Sequence, residues 1–476
     1  MSGAPSDIWR SFERTVESLG DEVAVRHGSR ALTFRDLTAA VERAAAGLTE
    51  VGVRAGDLVA VSSADPIAFI AFVLATLRSS AAALLLAPGQ GAQALRAVFD
   101  DVRVEWALTD DRELAERLAA AGGIEDVRTA GPVFAVARPA RVERRALAGD
   151  VAIVKLSSGS TAQPKAIAVG AEAVLAEAAA VSSTLDLGPG RDVLCPVALH
   201  HSYGFDLAIL PMITAGSTVS VHAPLVPSLL VRQLEDRRTS VFLGVPALYS
   251  VLLETPLAAV PDLAHVDYLL SCTAPLSVDL IERFHARFGV AICQHYGASE
   301  VGAVANHIPA RVLARPASVG QAMPGVEIEI VDGEVVVSGP AIASGYLSGG
   351  DEPSPFRDGR FHMGDEGSLD DEGFLTISGR RDALINVGGL KVSPDEVQLV
   401  LERHPAVREA AVVGRRDGAG NEVVYATVAV RGDVTELELI QFCRGELDDF
   451  KVPRGVELRA ELPRLASGKI DRRAIA

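Results

Sequence analysis

The twenty residues from Val151 to Gly170, VAIVKLSSGSTAQPKAIAVG, constrain this chain more than any other stretch. The apolar run Val151 to Val154 reads as a buried strand. It leads into Ser157-Ser158-Gly159-Ser160-Thr161, small and hydroxylated residues that cannot continue one. Gly159 permits positive φ and close backbone approach, the hydroxyls and free N–H groups offer donors to phosphate oxygens, and Lys165 adds a positive charge. The Walker A spacing G-x-x-x-x-G-K-[ST] is absent, so a polyphosphate held here would rest on a loop between strands, not on a helix N-terminus. Taken alone, the same letters also read as a Ser/Gly-rich surface turn.

The overall charge sharpens that choice. With Lys+Arg 45 against Asp+Glu 62 in 476 residues, the net charge of −17 argues against nucleic acid or an anionic membrane as the main partner. An anionic ligand must then be held by a few local cations. Cys195, Cys272, Cys293 and Cys443 show no CxxC spacing, which suits reduced thiols in a cytoplasmic protein. Met1 to Gly20 is polar and does not read as a signal peptide. The most apolar region, Ile67 to Ala87, is broken by Arg78, Ser79 and Ser80 into pieces too short to span a bilayer, and reads as a buried helix followed by a buried strand.

Along the first half, helical and strand patterns alternate. Thr33 to Val51 has helical spacing closed by Gly52, Leu58 to Ser62 is a short strand, Arg112 to Ala121 a polar-faced helix, and Ala135 to Arg145 a connector. Ala171 to Ser183 reads as a helix, and Asp192 to Val197 and Val241 to Leu243 as strands. Such repetition implies a mainly parallel sheet with helices on both faces. After Gly333, short strands between Gly, Asp and Pro turns suggest a more antiparallel subdomain. Ser393-Pro394-Asp395-Glu396 is a helix start, with Ser393 as N-cap and Glu396 as its capping-box partner. Strands at Val407 to Val413 and Val423 to Val430 and a helix at Leu437 to Leu447 complete a small α+β tail.

Five segments carry a resemblance. Leu156 to Lys165, Gln294 to Glu300 (QHYGASE), Phe361 to Gly367 (FHMGDEG), Gly379 to Lys391 (GRRDALINVGGLK) and Leu462 to Arg473 (LPRLASGKIDRR) occur in the order of the signature motifs of adenylate-forming enzymes. That superfamily includes acyl- and aryl-CoA ligases, nonribosomal adenylation domains and luciferases. The resemblance implies an α/β fold: a large N-terminal domain of αβ-layered sheets with a small β-rich subdomain, residues 1–381, and a small mobile α+β C-terminal domain, residues 382–476.

It also implies roles. Ser157, Ser158, Gly159, Ser160, Thr161 and Lys165 resemble the loop that holds the β- and γ-phosphates of ATP. Tyr296 resembles the aromatic stacked on adenine, and Ser299 stands where the family usually has a Thr at the α-phosphate. Glu300 looks like the Mg²⁺ ligand, a use that suits a carboxylate sharing the ion with phosphate oxygens and water. Asp365 resembles the acid that grips the ribose hydroxyls, with Arg380 as its cationic companion. Lys469 looks like the catalytic lysine, Asp382 like the hinge, and Gly389 like the residue beside the thiol tunnel. His201 resembles the imidazole between acyl pocket and tunnel. Phe205, Ser271, Cys272, Thr273, Ala274 and Ala298 fall in segments resembling the acyl pocket.

Three departures from the pattern stand out. Ala162 and Ala166 replace the usual glycines, and an alanine at positive φ would strain the loop. Asn386 stands where many relatives carry Lys. Phe361-His362-Met363 departs from Tyr-Arg-Thr. Phe205-Asp206 resembles the ammonium anchor of amino-acid-activating relatives, yet counted from Gly216 it lies a few residues too late, which favours an aryl or aliphatic acid without an α-amino group. The adjacent His200 and His201 show no third metal ligand at useful spacing.

The expected function is ATP- and Mg²⁺-dependent activation of a small carboxylic acid as an acyl-adenylate, followed by transfer to CoA, in a monomer or homodimer. Two alternatives remain at this point. One is a stand-alone adenylation enzyme loading the phosphopantetheine of an acyl or peptidyl carrier protein; the other is a non-catalytic nucleotide-binding protein.

Overall fold

The computed structural model describes residues 6–90, 92–102, 104, 106–122, 126–130, 133–137, 150–156, 165–221, 226–347, 354–387, 390–416, 422–464 and 470–475. The parallel sheet expected from the alternating pattern is present twice. In a nine-stranded sheet, the strands Ile292–Ala298, Tyr268–Ser271, Thr239–Gly244, Asp192–Cys195, Thr218–Val221 and Val23–His27 run parallel in that order, with antiparallel strands at both edges. In an eight-stranded sheet, Val151–Leu156, Ala82–Leu85, Leu58–Val61 and Trp106–Thr109 form the parallel centre.

Strand period 2 decides how these sheets are layered. Along the eight-stranded sheet, Val59, Val61, Ala83, Leu85 and Ile153 join the main core, shared with the nine-stranded sheet and the helices Asp7–Leu19, Phe34–Val51, Pro66–Arg78 and Ala171–Thr184. The alternate residues Leu58, Ala60, Ala82, Leu84 and Val154 face a second core, under the helices Ala92–Val102 and Arg112–Gly122. Both faces are therefore apolar, and the strands read as continuous hydrophobic runs. The Pro66–Arg78 helix is buried along nearly its whole length from Ile67 to Leu77. Among the described residues no helix is long and apolar enough to cross a membrane.

Two local expectations are corrected. Ala135 to Arg145 does not begin as a connector: Val133–Ala137 is a strand, paired antiparallel with both Trp106–Thr109 and Asp126–Ala130. The capping box at Ser393 forms only halfway. Ser393 Oγ accepts from the Glu396 N–H at 3.4 Å, but the Glu396 carboxylate takes Lys451 Nζ at 2.8 Å, an ionic partner that a backbone N–H does not match.

The antiparallel subdomain contains Glu327–Val331, Glu334–Ser338, Phe356–Arg357, Arg360–Leu369 and Leu375–Arg380. The tail has its own core, from Ile385 to Val456, in which the helices Pro394–Glu402 and Glu436–Glu446 pack on the sheet Val407–Arg416, Glu422–Val430 and Gly455–Arg459.

Candidate active site

The strands Ile292–Ala298 and Gly302–Asn306 pair antiparallel and are joined by Ser299, Glu300 and Val301. The crossing is tight, since a Cβ on Gly297 would stand 2.3 Å from the Gly302 carbonyl oxygen. This turn brings several of the expected residues together.

On one side lies the ribose candidate. Asp365 and Arg380 face each other across two antiparallel strands, with Arg380 Nε 3.4 Å from Asp365 Oδ1. The Tyr296 hydroxyl donates to Asp365 Oδ2 at 2.5 Å. Burial, and then the charge of Asp365, hold the Tyr296 phenol well above its usual range, so it remains a donor. The carboxyl of Asp365 is thus anchored, and an ionised carboxyl is an acceptor of the kind hydroxyl groups require. Its neighbour His362 does not copy the family pattern: His362 Nδ1 lies 3.1 Å from Glu334 Oε2, which also takes Arg381 at 3.1 Å.

On the other side lie the phosphate candidates. Ser202 Oγ donates to Ser299 Oγ at 2.7 Å, joining the turn to the segment that begins at His201. The Tyr346 hydroxyl donates to Glu300 Oε1 at 3.0 Å, and Lys165 Nζ lies 5.2 Å from the centroid of the Tyr346 ring. Tyr346 sits on an edge strand opposite Ile167, so pairing with Ala166–Gly170 places Glu300 and Lys165 around one aromatic ring. Ala166 carries no strain of the kind expected. It pairs with Leu156 as the first residue of its strand and is not at positive φ.

His201 is half-buried, its ring centroid 4.6 Å from that of His200. Burial, followed by repulsion from His201, pushes His200 down to about 3, so that ring is neutral at physiological pH. Among the acyl-pocket candidates, Cys272 and Ala298 are half-buried, and Thr273 and Ala274 are exposed. Phe205 is wholly buried in the main core and Ser271 is 3% exposed, so these two present almost no surface. Thr273 adopts φ +75°, a left-handed conformation costly for a β-branched residue. Asp382 falls in the single turn Arg381–Ala383 that follows the Leu375–Arg380 strand. Ser157, Ser158, Gly159, Ser160, Thr161, Ala162, Gly389 and Lys469 lie outside the described residues.

Among the described residues there is no group of three or more His, Cys, Asp or Glu side chains able to hold a metal ion. A lone carboxylate at Glu300 fits Mg²⁺, which takes one or two protein ligands and completes its shell with phosphate oxygens and water.

Residues 12–347 match the family model described as AMP-binding enzyme, and residues 396–469 match the AMP-binding enzyme C-terminal domain. The chain belongs to the AMP-binding enzyme family. It is 30% identical over 469 residues to feruloyl-CoA synthase from Amycolatopsis sp, covering 94% of each chain. It is 28% identical to oxalate-CoA ligase from Arabidopsis thaliana, covering 100% of this chain and 98% of that one. Among solved structures, an amide bond synthetase from Marinactinospora thermotolerans superposes with a TM-score of 0.84 at 27% identity, covering 98% of this chain and 99% of the other. The AMP complex of O-succinylbenzoate Coenzyme A synthetase from Bacillus subtilis superposes at 0.82 and 25% identity, covering 98% and 97%.

In this AMP-binding enzyme, motif reading missed Ser202 and Tyr346. Neither falls in the five motif segments, though each bonds directly to a motif residue. Asp206 has a different role from the ammonium anchor it resembled: both its oxygens take Lys155 Nζ, at 2.7 and 2.8 Å, within the interior.

Proposed function

We propose that this chain uses ATP to activate an aryl or aliphatic carboxylic acid as an acyl-adenylate and transfers the acyl group to the thiol of CoA. The observation that carries this reading is the convergence of Tyr296, Asp365 and Arg380 on one side of the Ser299–Glu300 turn, and of Lys165 and Tyr346 on the other. In this reading Asp365 and Arg380 take the ribose, Tyr296 stacks on adenine, and Ser157 to Thr161 with Lys165 hold the β- and γ-phosphates. Mg²⁺ arriving with ATP would be held by Glu300, and it supplies charge neutralisation on the triphosphate.

The chemistry needs no general base, because the attacking carboxylate is already ionised. One carboxylate oxygen bonds to the α-phosphorus as the bond to the bridging oxygen breaks, and pyrophosphate leaves with that electron pair. An ammonium at Lys469, on the C-terminal domain spanning residues 382–476, would stabilise the charge shared between acyl and phosphoryl oxygens. Rotation of that domain about Asp382 would then admit the thiol past Gly389 and His201. The thiolate attacks the acyl carbonyl, AMP departs, and a thioester remains. We place the enzyme in the cytoplasm, where reduced thiols and CoA coexist.

Acid-dependent exchange of labelled pyrophosphate into ATP tests the first half-reaction, and the feruloyl-CoA synthase relative makes aryl acids the first part of the panel. Thioester formation with free CoA against a holo-carrier protein tests the second. No exchange with any acid, alongside ATP binding, would favour a non-catalytic nucleotide-binding protein. Lys469→Ala should lower exchange at least a thousandfold and spare transfer from a supplied acyl-adenylate. Equal loss of both steps would contradict a two-conformation mechanism.

A further inference from the structure

A buried charge cluster that none of the motifs contains lies behind the candidate site. Lys155 is the fifth residue of the strand Val151–Leu156, Asp206 lies in the π-helical turn Phe205–Ile209, and Glu177 is on the helix Ala171–Thr184. All three are less than 5% exposed. Lys155 and Asp206 form a two-pronged ion pair at 2.7 and 2.8 Å. Glu177 Oε1 accepts from the Ala303 N–H at 2.8 Å. Gly302, at φ +70°, lies so close that a Cβ there would stand 2.1 Å from Glu177 Oε2.

We propose that Glu177 is a positioning residue for adenylation, clamping from behind the turn that carries Ser299 and Glu300, with the Lys155–Asp206 pair fixing the neighbouring segments to the same frame. This rests on the reading of Ser299 and Glu300 given above and adds to it a residue that touches neither substrate.

The geometry makes the clamp specific. Ala303 is the first residue after Gly302, and its N–H faces inward, so an acceptor on the Ala171–Thr184 helix sets how far the turn can lean out. From the same frame, Asp206 follows His201 and Ser202 by a few residues, and Ser202 Oγ holds Ser299 Oγ. Lys155 precedes Ser157 by two residues. The strand Val151–Leu156, the His201 segment and the Ser299–Glu300 turn thus lead back to one buried cluster.

The electrostatics agree. Burial, then the Asp206 carboxylate, push Glu177 up to about 8, opposed by the Lys155 ammonium and the Ala303 N–H. At neutral pH Glu177 is therefore held mainly in its protonated form. The clamp is an acceptor oxygen and not a charge.

That distinction decides the test. In the full-length enzyme, Glu177→Gln keeps the acceptor and should leave the KM for MgATP and the exchange rate within twofold of wild type. Glu177→Leu removes it and should raise the KM for MgATP about tenfold and slow exchange about tenfold. The same variant should leave thioester formation from a supplied acyl-adenylate within twofold, a split that general loss of stability would not produce. Should Glu177→Leu fail to fold, Gly302→Ala pushes the turn off the same carboxyl and should give the same split. Unchanged kinetics in a folded Glu177→Leu or Gly302→Ala variant would overturn the proposal. So would a Glu177→Gln variant as impaired as Glu177→Leu. Wild-type exchange is run alongside: its absence would remove the adenylation reading, and MgATP affinity of the same variants would still report on the clamp.

Discussion

Two carboxylate–cation pairs of this chain, one buried and one at the rim of the candidate site, are built in opposite ways. Lys155 and Asp206 meet at 2.7 Å with side chains 5% and 4% exposed. Arg380 and Asp365 meet at 3.4 Å, and the Arg380 side chain is 49% exposed. Removing one partner of the first pair strands a charge where water cannot reach it, whereas the second is screened by solvent. The buried pair joins two elements of the interior; the rim pair, in the proposed function, is the one that meets the ribose.

The largest expected effect attacks the buried pair. Lys155→Met leaves the Asp206 carboxylate uncompensated and should cost about 3–5 kcal/mol of unfolding free energy, read by urea denaturation. Adding Asp206→Leu should restore most of it, because two apolar side chains replace the ion pair. Arg380→Met, the matching change at the rim, should cost no more than about 1 kcal/mol. Equal losses at both sites would erase the contrast. Next in size, Asp365→Asn should lower kcat/KM for ATP about a hundredfold, roughly 2.7 kcal/mol, while the Tm stays near that of wild type.

Another effect, spread over pH, isolates the acid beside the buried pair. Glu177 is raised from 4.5 to about 8, so the native state keeps a proton that the unfolded chain has lost. The stability this group contributes is complete below about pH 4.5 and is lost as pH rises through about 8. The slope in between should approach about 1.4 kcal/mol per pH unit and flatten beyond. Glu177→Gln should remove that slope. A stability profile identical in wild type and variant would show that Glu177 is already ionised at neutral pH.

Much of this was legible in the chain itself, for identifiable reasons. The strand Val151–Leu156, the helix Phe34–Val51 with its Thr33 cap, and the C-terminal helices follow from local rules of period and capping, which need no knowledge of the rest of the fold. The strand Val133–Ala137 did not, because an arginine- and proline-bearing stretch masks its few apolar residues. Nor did the second sheet: alternation tells which strands are buried on both faces but not which neighbours they choose. The buried cluster is the instructive failure. Lys155 reads as an interruption in an apolar strand, and Asp206 resembled a substrate anchor, since only the fold brings residues 51 apart in sequence into contact. Ser202 and Tyr346 were invisible for the same reason. A hydroxyl gives no sign in the sequence of the partner it will meet, Ser299 for Ser202 and Glu300 for Tyr346.

The smallest expected effect falls between the two regimes and tests whether the division is a real one. Glu300 is half-buried and takes a neutral donor, the Tyr346 hydroxyl, at 3.0 Å, and Lys165 Nζ lies 5.2 Å from the centroid of the same ring. If Glu300 is held as Lys155 holds Asp206, removing the donor should damage the fold; if it is poised for a cation, as we propose Asp365 is for a ribose, only ligand affinity should change. Tyr346→Phe deletes the hydroxyl and leaves the ring under Lys165. A single hydrogen bond to a partly solvated carboxylate is worth about 1 kcal/mol, so the Mg²⁺ concentration giving half-maximal exchange should rise about fivefold with no change in Tm. A loss of stability without a Mg²⁺ effect would assign Glu300 to the framework, and the metal would need another ligand.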